Sequence, residues 1–179
     1  MFGGWRGVIA LARTGLPAKV VATDFVDEML DIARAKAAGW PGPTKIEFEH
    51  QDGQALTLPD GSFDIVTVSF GIRNMPDRAA GFREALRVLK PGGRYLILEF
   101  SAPRARLFRS LFRFYAGTII PWLGAVVAHD RVSYQYLNDS IMQFPPPERL
   151  AAELREIGFS SVRWVPMMFS TVNLHVATK

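Results

Sequence analysis

Four apolar, β-rich runs in this 179-residue chain each end among small or acidic residues. Lys19–Asp24 closes on Asp24, and Ile46–His50 is followed by Asp52 and Gly53. Phe63–Ser69 ends on Ser69 with Gly71 just beyond, and Tyr95–Phe100 carries Glu99, with Ser101 next along the chain. A carboxylate accepts hydrogen bonds from two vicinal hydroxyls, a glycine lets backbone approach a flat base, and a hydroxyl meets an amino-acid head group. Together these groups are what a nucleoside site needs. Taken singly, each has a plainer reading. Asp24 equally suits the dipole of the helix that follows, together with Asp27 and Glu28; Asp52-Gly53 reads as a turn; Ser69 reads as a satisfied buried hydroxyl. Asp60-Gly61 is read only as a turn. The recurrence at consecutive strand ends favours a site, because ligands of open parallel sheets bind outside the carboxyl ends of the strands.

Those strands alternate with helical patterns, the mark of an α/β sheet with crossover helices. A helix is expected over Phe25 to Ala38, with Met29, Leu30, Ile32 and Ala33 on its apolar side and Gly39 as its stop. A second is expected over Asp77 to Leu89, with Phe82, Ala85, Leu86 and Leu89 at helical spacing, and a third over Pro147 to Ile157, stopped by Gly158. "RVLKPGGRYLILEFS" (87–101) reads as a helix end, a turn at Pro91-Gly92-Gly93 and a buried strand, and "FDIVTVS" (63–69) as another buried strand. Ile46–His50 alternates apolar and polar residues, as a half-buried strand near a sheet edge does. Val162–Met167 and Val172–Ala177 are joined by so short a link that they must pair antiparallel, and Pro166 disfavours a central place for the first. The expected fold is one α/β domain: a Rossmann-like, doubly wound, mostly parallel sheet with an antiparallel C-terminal hairpin.

Composition narrows the chemistry. With no cysteine there is no disulfide framework, thiolate metal site or cysteine nucleophile. Three scattered histidines give no ligand cluster, so no metal is expected. The net charge of +4 resides in one segment: residues 100–129 hold Arg104, Arg106, Arg109 and Arg113 and no Asp or Glu. Leu, Phe, Tyr and Trp lie between and after these arginines, so the segment reads as a membrane-surface element in preference to a nucleic-acid patch, with an arginine-decorated helix over the core as the plainer alternative. The apolar run 114–128 is short for a membrane span and is interrupted by Pro121. The expected location is the cytoplasm, with peripheral contact on the inner face of the membrane.

The 87–101 stretch, together with "VATDFVDEML", "QDGQALTLPDGSFDIVTVSFGIRN", "HDRVSYQYLNDSIMQFP" and "GFSSV…NLHVATK", resembles the class I S-adenosylmethionine methyltransferases, and within them the UbiE/MenG family of quinone-biosynthesis C-methyltransferases. The resemblance runs from about residue 19 to the end. It implies S-adenosyl-L-methionine as cofactor, with Asp24 on the ribose, Asp52 and Gly53 flanking the adenine, and Ser69 beside the methionine moiety. It further implies a polyprenyl quinol as substrate, with Arg73 and Asn74 at the mouth facing it and Tyr134 and Tyr136 in the segment that closes over it. A homodimer is compatible with this reading; nucleic acid is not an expected partner.

Methylation of a ring carbon requires the quinol hydroxyl to lose a proton and push charge onto the ring. Arg73 is cast as stabiliser of the resulting phenolate and His129, beside Asp130, as the base, although a lone histidine is more often structural. Residues 107–128 are expected to form a lid or tunnel wall touching the membrane, within an insertion over 102–145. The front departs from the family. Gly4 lies twenty residues before Asp24, a suitable distance for a glycine-rich turn, yet "GGWRG" contains no G-x-G and no strand precedes it. The expected domain is therefore incomplete at its N-terminus, lacking the first central strand between Lys19–Asp24 and Phe63–Ser69 and leaving an unpaired seam there. A late start codon or a frameshift is favoured over a short protein as the origin. Two alternatives stand beside the main reading: a catalytically impaired remnant acting as a binding module, and a methyltransferase for another small aromatic or lipid.

Overall fold

The structure, a computed structural model, describes residues 7–8, 12–15, 17–101, 136 and 139–179, apart from the side chain of Phe169. Its elements are β1 (Lys19–Asp24), α1 (Asp27–Ala37), β2 (Lys45–His50), β3 (Phe63–Ser69), a 3-10 turn (Ile72–Asn74), α2 (Arg78–Val88), β4 (Leu89–Phe100), α3 (Pro147–Ile157), β5 (Ser161–Met167), a second 3-10 turn (Met168–Ser170) and β6 (Val172–Thr178). β1 pairs parallel with β2, and β3 parallel with β4. β6 is antiparallel to both β4 and β5. The strands form two sheets, β1-β2 and β3-β4-β6-β5. The division falls between β1 and β3, and among the described residues no strand precedes Lys19.

Local chemistry sets the element ends. Asp24 accepts the Val26 N–H through Oδ1 at 3.0 Å, and this Asx-type turn delays α1 to Asp27, two residues later than its apolar pattern suggests. α1 buries Leu30 and Ala33, one turn apart. Ile32 instead stands 44% exposed, because its position in the helix turns it away from the stripe set by Leu30 and Ala33. Asp77 caps α2 by accepting the Ala80 N–H at 3.0 Å. α3 runs from Pro147 to Ile157, and Gly158 follows in the left-handed region at φ 119°.

Pro91-Gly92-Gly93 does not form a separate turn. β4 begins at Leu89, directly after α2, and the pairing slips from Phe63↔Leu89 to Ile65↔Arg94. The extra residues make a bulge. Gly92 adopts φ 76° and gives its N–H to Lys179 O at 3.2 Å, while Lys179 N–H returns to Gly93 O at 3.0 Å. At Gly93 a Cβ would lie 2.8 Å from Lys90 O and 3.1 Å from Asp64 O, so backbone packing excludes a side chain. The segment stitches β3, β4 and the chain's end together.

Phe82, Leu89, Ile97, Leu150, Leu154 and Ala177 lead the core, which lies between the four-stranded sheet and helices α2 and α3. β3 is less buried than its apolar sequence suggests. Val66 and Val68 pack on the core, but Ile65 is 48% exposed, since among the described residues β3 has a ladder neighbour only at β4. In the core, His175 is 2% exposed and lies near Trp164, their ring centroids 6.2 Å apart. Its Nε2 is 3.0 Å from Pro147 O, and a carbonyl only accepts, so Nε2 carries the proton and Nδ1 is a bare, buried acceptor. Burial pushes the imidazole below its ordinary value, with the Pro147 carbonyl opposing more weakly. The folded state thus binds this proton less readily than the unfolded chain, and the stability His175 contributes is present above about pH 6.5 and lost as pH falls through the folded value. Urea-unfolding midpoints are expected to hold steady from about pH 8 to 7 and to decline toward pH 5, with a shallower decline in His175→Gln.

Candidate functional site

The carboxyl ends of β1 and β2 are tied directly, Gln51 N–H donating to Asp24 O at 3.1 Å. Asp24 uses Oδ1 for Val26 N–H, and among the described residues its Oδ2 meets no donor. Asp52 accepts Gln54 N–H (2.9 Å) and Gln54 Nε2–H (3.2 Å) on Oδ1, and among the described residues its Oδ2 likewise meets no donor. The far end of the same amide, Gln54 Oε1, accepts Asp77 N–H at 2.8 Å. Gly53 packs against Met75: a Cβ there would meet Met75 Cε at 2.6 Å. Asp52 and Gly53 are therefore held beside the segment that follows β3.

That position depends on Arg87. Its Nη2 donates to Leu56 O and its Nη1 to Leu58 O, both at 2.8 Å, while Nε and Nη2 grip Glu84 at 2.9 and 2.7 Å. Asp60 takes a further bond from Nη1. Glu84 also accepts Leu56 N–H at 2.8 Å, and the guanidinium holds its carboxyl below the ordinary carboxylate range. The loop carrying Asp52 and Gly53 is thus bolted to α2 by one arginine and one glutamate.

At the end of β3, Ser69 is exposed, and Phe70 takes φ 56°, a left-handed conformation that costs a side-chain-bearing residue roughly 1–2 kcal/mol. Arg73, expected as a cation facing the mouth, has only 8% of its side chain exposed and is paired with Glu99 at 2.6 Å, whose side chain is 1% exposed. A guanidinium this far from water needs a counter-charge, and Glu99 supplies it. Arg73 Nη1 also donates to Phe70 O at 2.9 Å; among the described residues Nη2 meets no acceptor, and Nε is buried without one. Next to it, exposed Asn74 accepts the Tyr136 hydroxyl at 3.2 Å through Oδ1. Ser101 and Asn173 form a separate buried pair at 2.7 Å.

The structure thus brings together Asp52, Gly53, Arg73, Asn74 and Tyr136, and places Asp24 and Ser69 at the carboxyl ends of their own strands. Gly4, His129, Asp130 and Tyr134 lie outside the described residues, as do residues 107–128. Of the 102–145 insertion, Ile141 and Phe144 are described and buried, the latter in the main core. Sequence reasoning passed over Gln54, Met75 and the bracing by Arg87, since side-chain reach across 20 to 30 residues leaves no periodic signal. Among the described residues no His, Asp and Glu side chains gather as a metal site, and no helix is long and apolar enough to cross a membrane.

A parallel α/β sheet with carboxylates and small residues at its strand ends, and with β6 inserted antiparallel between β4 and β5, is the class I methyltransferase fold. A solved S-adenosylmethionine-dependent methyltransferase from Aquifex aeolicus shares it at a TM-score of 0.63 and 18% identity, over 98% of this chain and 78% of that one. Residues 6–179 match the ubiE/COQ5 methyltransferase family, and the chain belongs to that family. It is 41% identical over 171 residues to demethylmenaquinone methyltransferase of Deinococcus radiodurans, covering 96% of this chain and 70% of that protein. It is 38% identical over 172 residues to the ubiquinone/menaquinone biosynthesis C-methyltransferase UbiE of Geobacter sulfurreducens, covering 96% and 67%. Family and fold together imply use of S-adenosylmethionine.

Arg87→Met keeps the aliphatic stem and removes the bonds to Leu56, Leu58, Asp60 and Glu84. It should lower stability by roughly 2 kcal/mol, read as a reduced urea midpoint, and speed amide exchange across residues 51–58 more than across β4.

Proposed function

We propose that this chain methylates a ring carbon of a polyprenyl quinol, demethylmenaquinol or a 2-methoxy-6-polyprenyl-benzoquinol, with S-adenosylmethionine as donor. The observation that carries the reading is the packing of Gly53, beside Asp52, on Met75, which directly follows Arg73 and Asn74, the latter bonded to Tyr136. The residues present fit the cofactor. Asp24 and Asp52 each keep one carboxylate oxygen that no described residue hydrogen-bonds, suited to ribose hydroxyls and to an adenine amino group respectively. Phe25, 66% exposed beside Asp24, offers a ring face for stacking, and the Ser69 hydroxyl is exposed for an amino-acid head group. When bound, S-adenosylmethionine supplies an electrophilic methyl group.

The chain's own groups handle the quinol. Asn74 and Tyr136 present an amide and a hydroxyl, already bonded to each other, that orient a quinol oxygen. Arg73 Nη2 is the donor left to stabilise negative charge on that oxygen; Nη1 is committed to Glu99 and Phe70. His129, with Asp130, is the base in this reading. The basic apolar residues 100–129 suit the collection of a lipid-soluble substrate from a membrane surface. The homology to proteins named for demethylmenaquinone and ubiquinone/menaquinone methylation supports the substrate class.

Transfer of labelled methyl from S-adenosylmethionine should be measured on demethylmenaquinol and on the benzoquinol, each in mixed micelles. The expected result is turnover on at least one, and no turnover on either contradicts the proposal. Asp24→Ala should weaken binding of S-adenosylhomocysteine at least about tenfold by titration calorimetry, equivalent to about 1.4 kcal/mol, whereas unchanged affinity would remove Asp24 from the site.

A further inference from the structure

Glu99 receives three hydrogen bonds from the described residues, and two come from one residue. Arg73 Nη1 reaches Oε1 at 2.6 Å, and the Arg73 N–H reaches Oε2 at 3.4 Å. The Phe100 N–H adds a third, to Oε1 at 2.9 Å. Glu99 is thus fixed to the end of β4 and holds both the backbone and the side chain of the residue that opens the path to Asn74. Its cross-strand neighbour Asn173 turns its amide nitrogen to Ser101 and Ser170, so Arg73 is the counter-charge Glu99 has among the described residues.

Through that one guanidinium the grip extends further. Arg73 Nη1 also holds Phe70 O, and Phe70 is in the left-handed region at φ 56°. A strained residue of this kind persists only where its surroundings over-determine it. Here the surroundings are Leu98 O, which accepts Phe70 N–H at 2.8 Å, the Phe100 ring 4.5 Å away, and Arg73. The same turn sets Asn74, whose N–H donates to Gly71 O at 3.1 Å, and Met75, which packs on Gly53. Ser69 lies immediately before it.

We propose that Glu99 is a positioning residue for methyl transfer, acting through Arg73 to hold the strained Phe70–Asn74 turn that presents Ser69 to the cofactor and Asn74 to the acceptor. The inference rests on the methyltransferase reading above. Glu99 itself touches neither reactant. Its loss is felt as misplacement of the reacting groups, which a shift of about 1 Å can turn into a hundredfold loss of rate.

Glu99→Gln keeps the volume and one acceptor oxygen but not the charge. The expected outcome is kcat down about 10- to 100-fold, with affinity for S-adenosylhomocysteine changed less than about threefold, and faster amide exchange at Phe70 and Arg73 while Ile97 and Ala177 stay protected. If Glu99 acts through Arg73, the double variant Arg73→Gln/Glu99→Gln should be no slower than Arg73→Gln alone. Full kcat in Glu99→Gln, additive losses in the double variant, or unchanged exchange at Phe70 and Arg73 overturns the proposal. Should Glu99→Gln not fold, Arg73→Met/Glu99→Leu removes both charges together, an exchange buried pairs tolerate. That variant is expected to fold, bind S-adenosylhomocysteine and turn over slowly, and full kcat in it is equally fatal. Amide exchange reads the turn without turnover, so a wild-type chain inactive on every quinol defeats the methyltransferase reading while this test still decides the role of Glu99.

Discussion

The site depends on where the chain places one carboxylate. Glu99 stands at the end of a central strand with almost none of its side chain in water, and withdrawing such a group from solvent costs several kcal/mol unless it is paired and hydrogen-bonded. Arg73 meets that demand. In doing so it fixes the turn after β3, and the turn fixes Asn74 on one side and Met75 on the other. Met75 bears on Gly53, and Gln54 bears on Asp77, so the loop after β2 takes its place from the same pair. The strand ends of two separate sheets are drawn into one neighbourhood by side chains from the loops and not by a shared ladder.

Arg87 works on the opposite side of that loop. It lies in the same stretch of sequence as Glu99, at the start of the run whose other end is Ser101. One end of the 87–101 stretch braces the loop after β2, the other braces the turn after β3, and the glycines between them let β4 enter the sheet without a connecting loop. This explains in physical terms why a signature that reads as helix, turn and strand carries so much of the family resemblance.

Much of the fold was legible because it follows from local rules. The third helix and its glycine stop, the second helix, the parallel pairing of β3 with β4 and the antiparallel hairpin with Pro166 on its edge strand all agree with the sequence reading. The failures share a cause. The Pro91–Gly93 bulge depends on the chain's last residue, Lys179, far away in sequence. Ile32 was placed by hydrophobicity when its helical position decides its exposure, and β3 was taken as buried when a neighbour on only one side leaves Ile65 in solvent. The pairing of Arg73 with Glu99, 26 residues on and 2.6 Å away, has no local signal in the sequence. Strand ends suggested the candidate site residues; how those residues are held could not be read from them.

The central claim is that the ends of β1, β2 and β3, with the turn after β3, form one ligand site. Hydrogen–deuterium exchange of the full chain with and without S-adenosylhomocysteine tests it most directly. The account expects added protection together at residues 24–26, 52–54 and 69–75, with β5 unaffected. Protection confined to one of these segments, or located elsewhere in the chain, would contradict it.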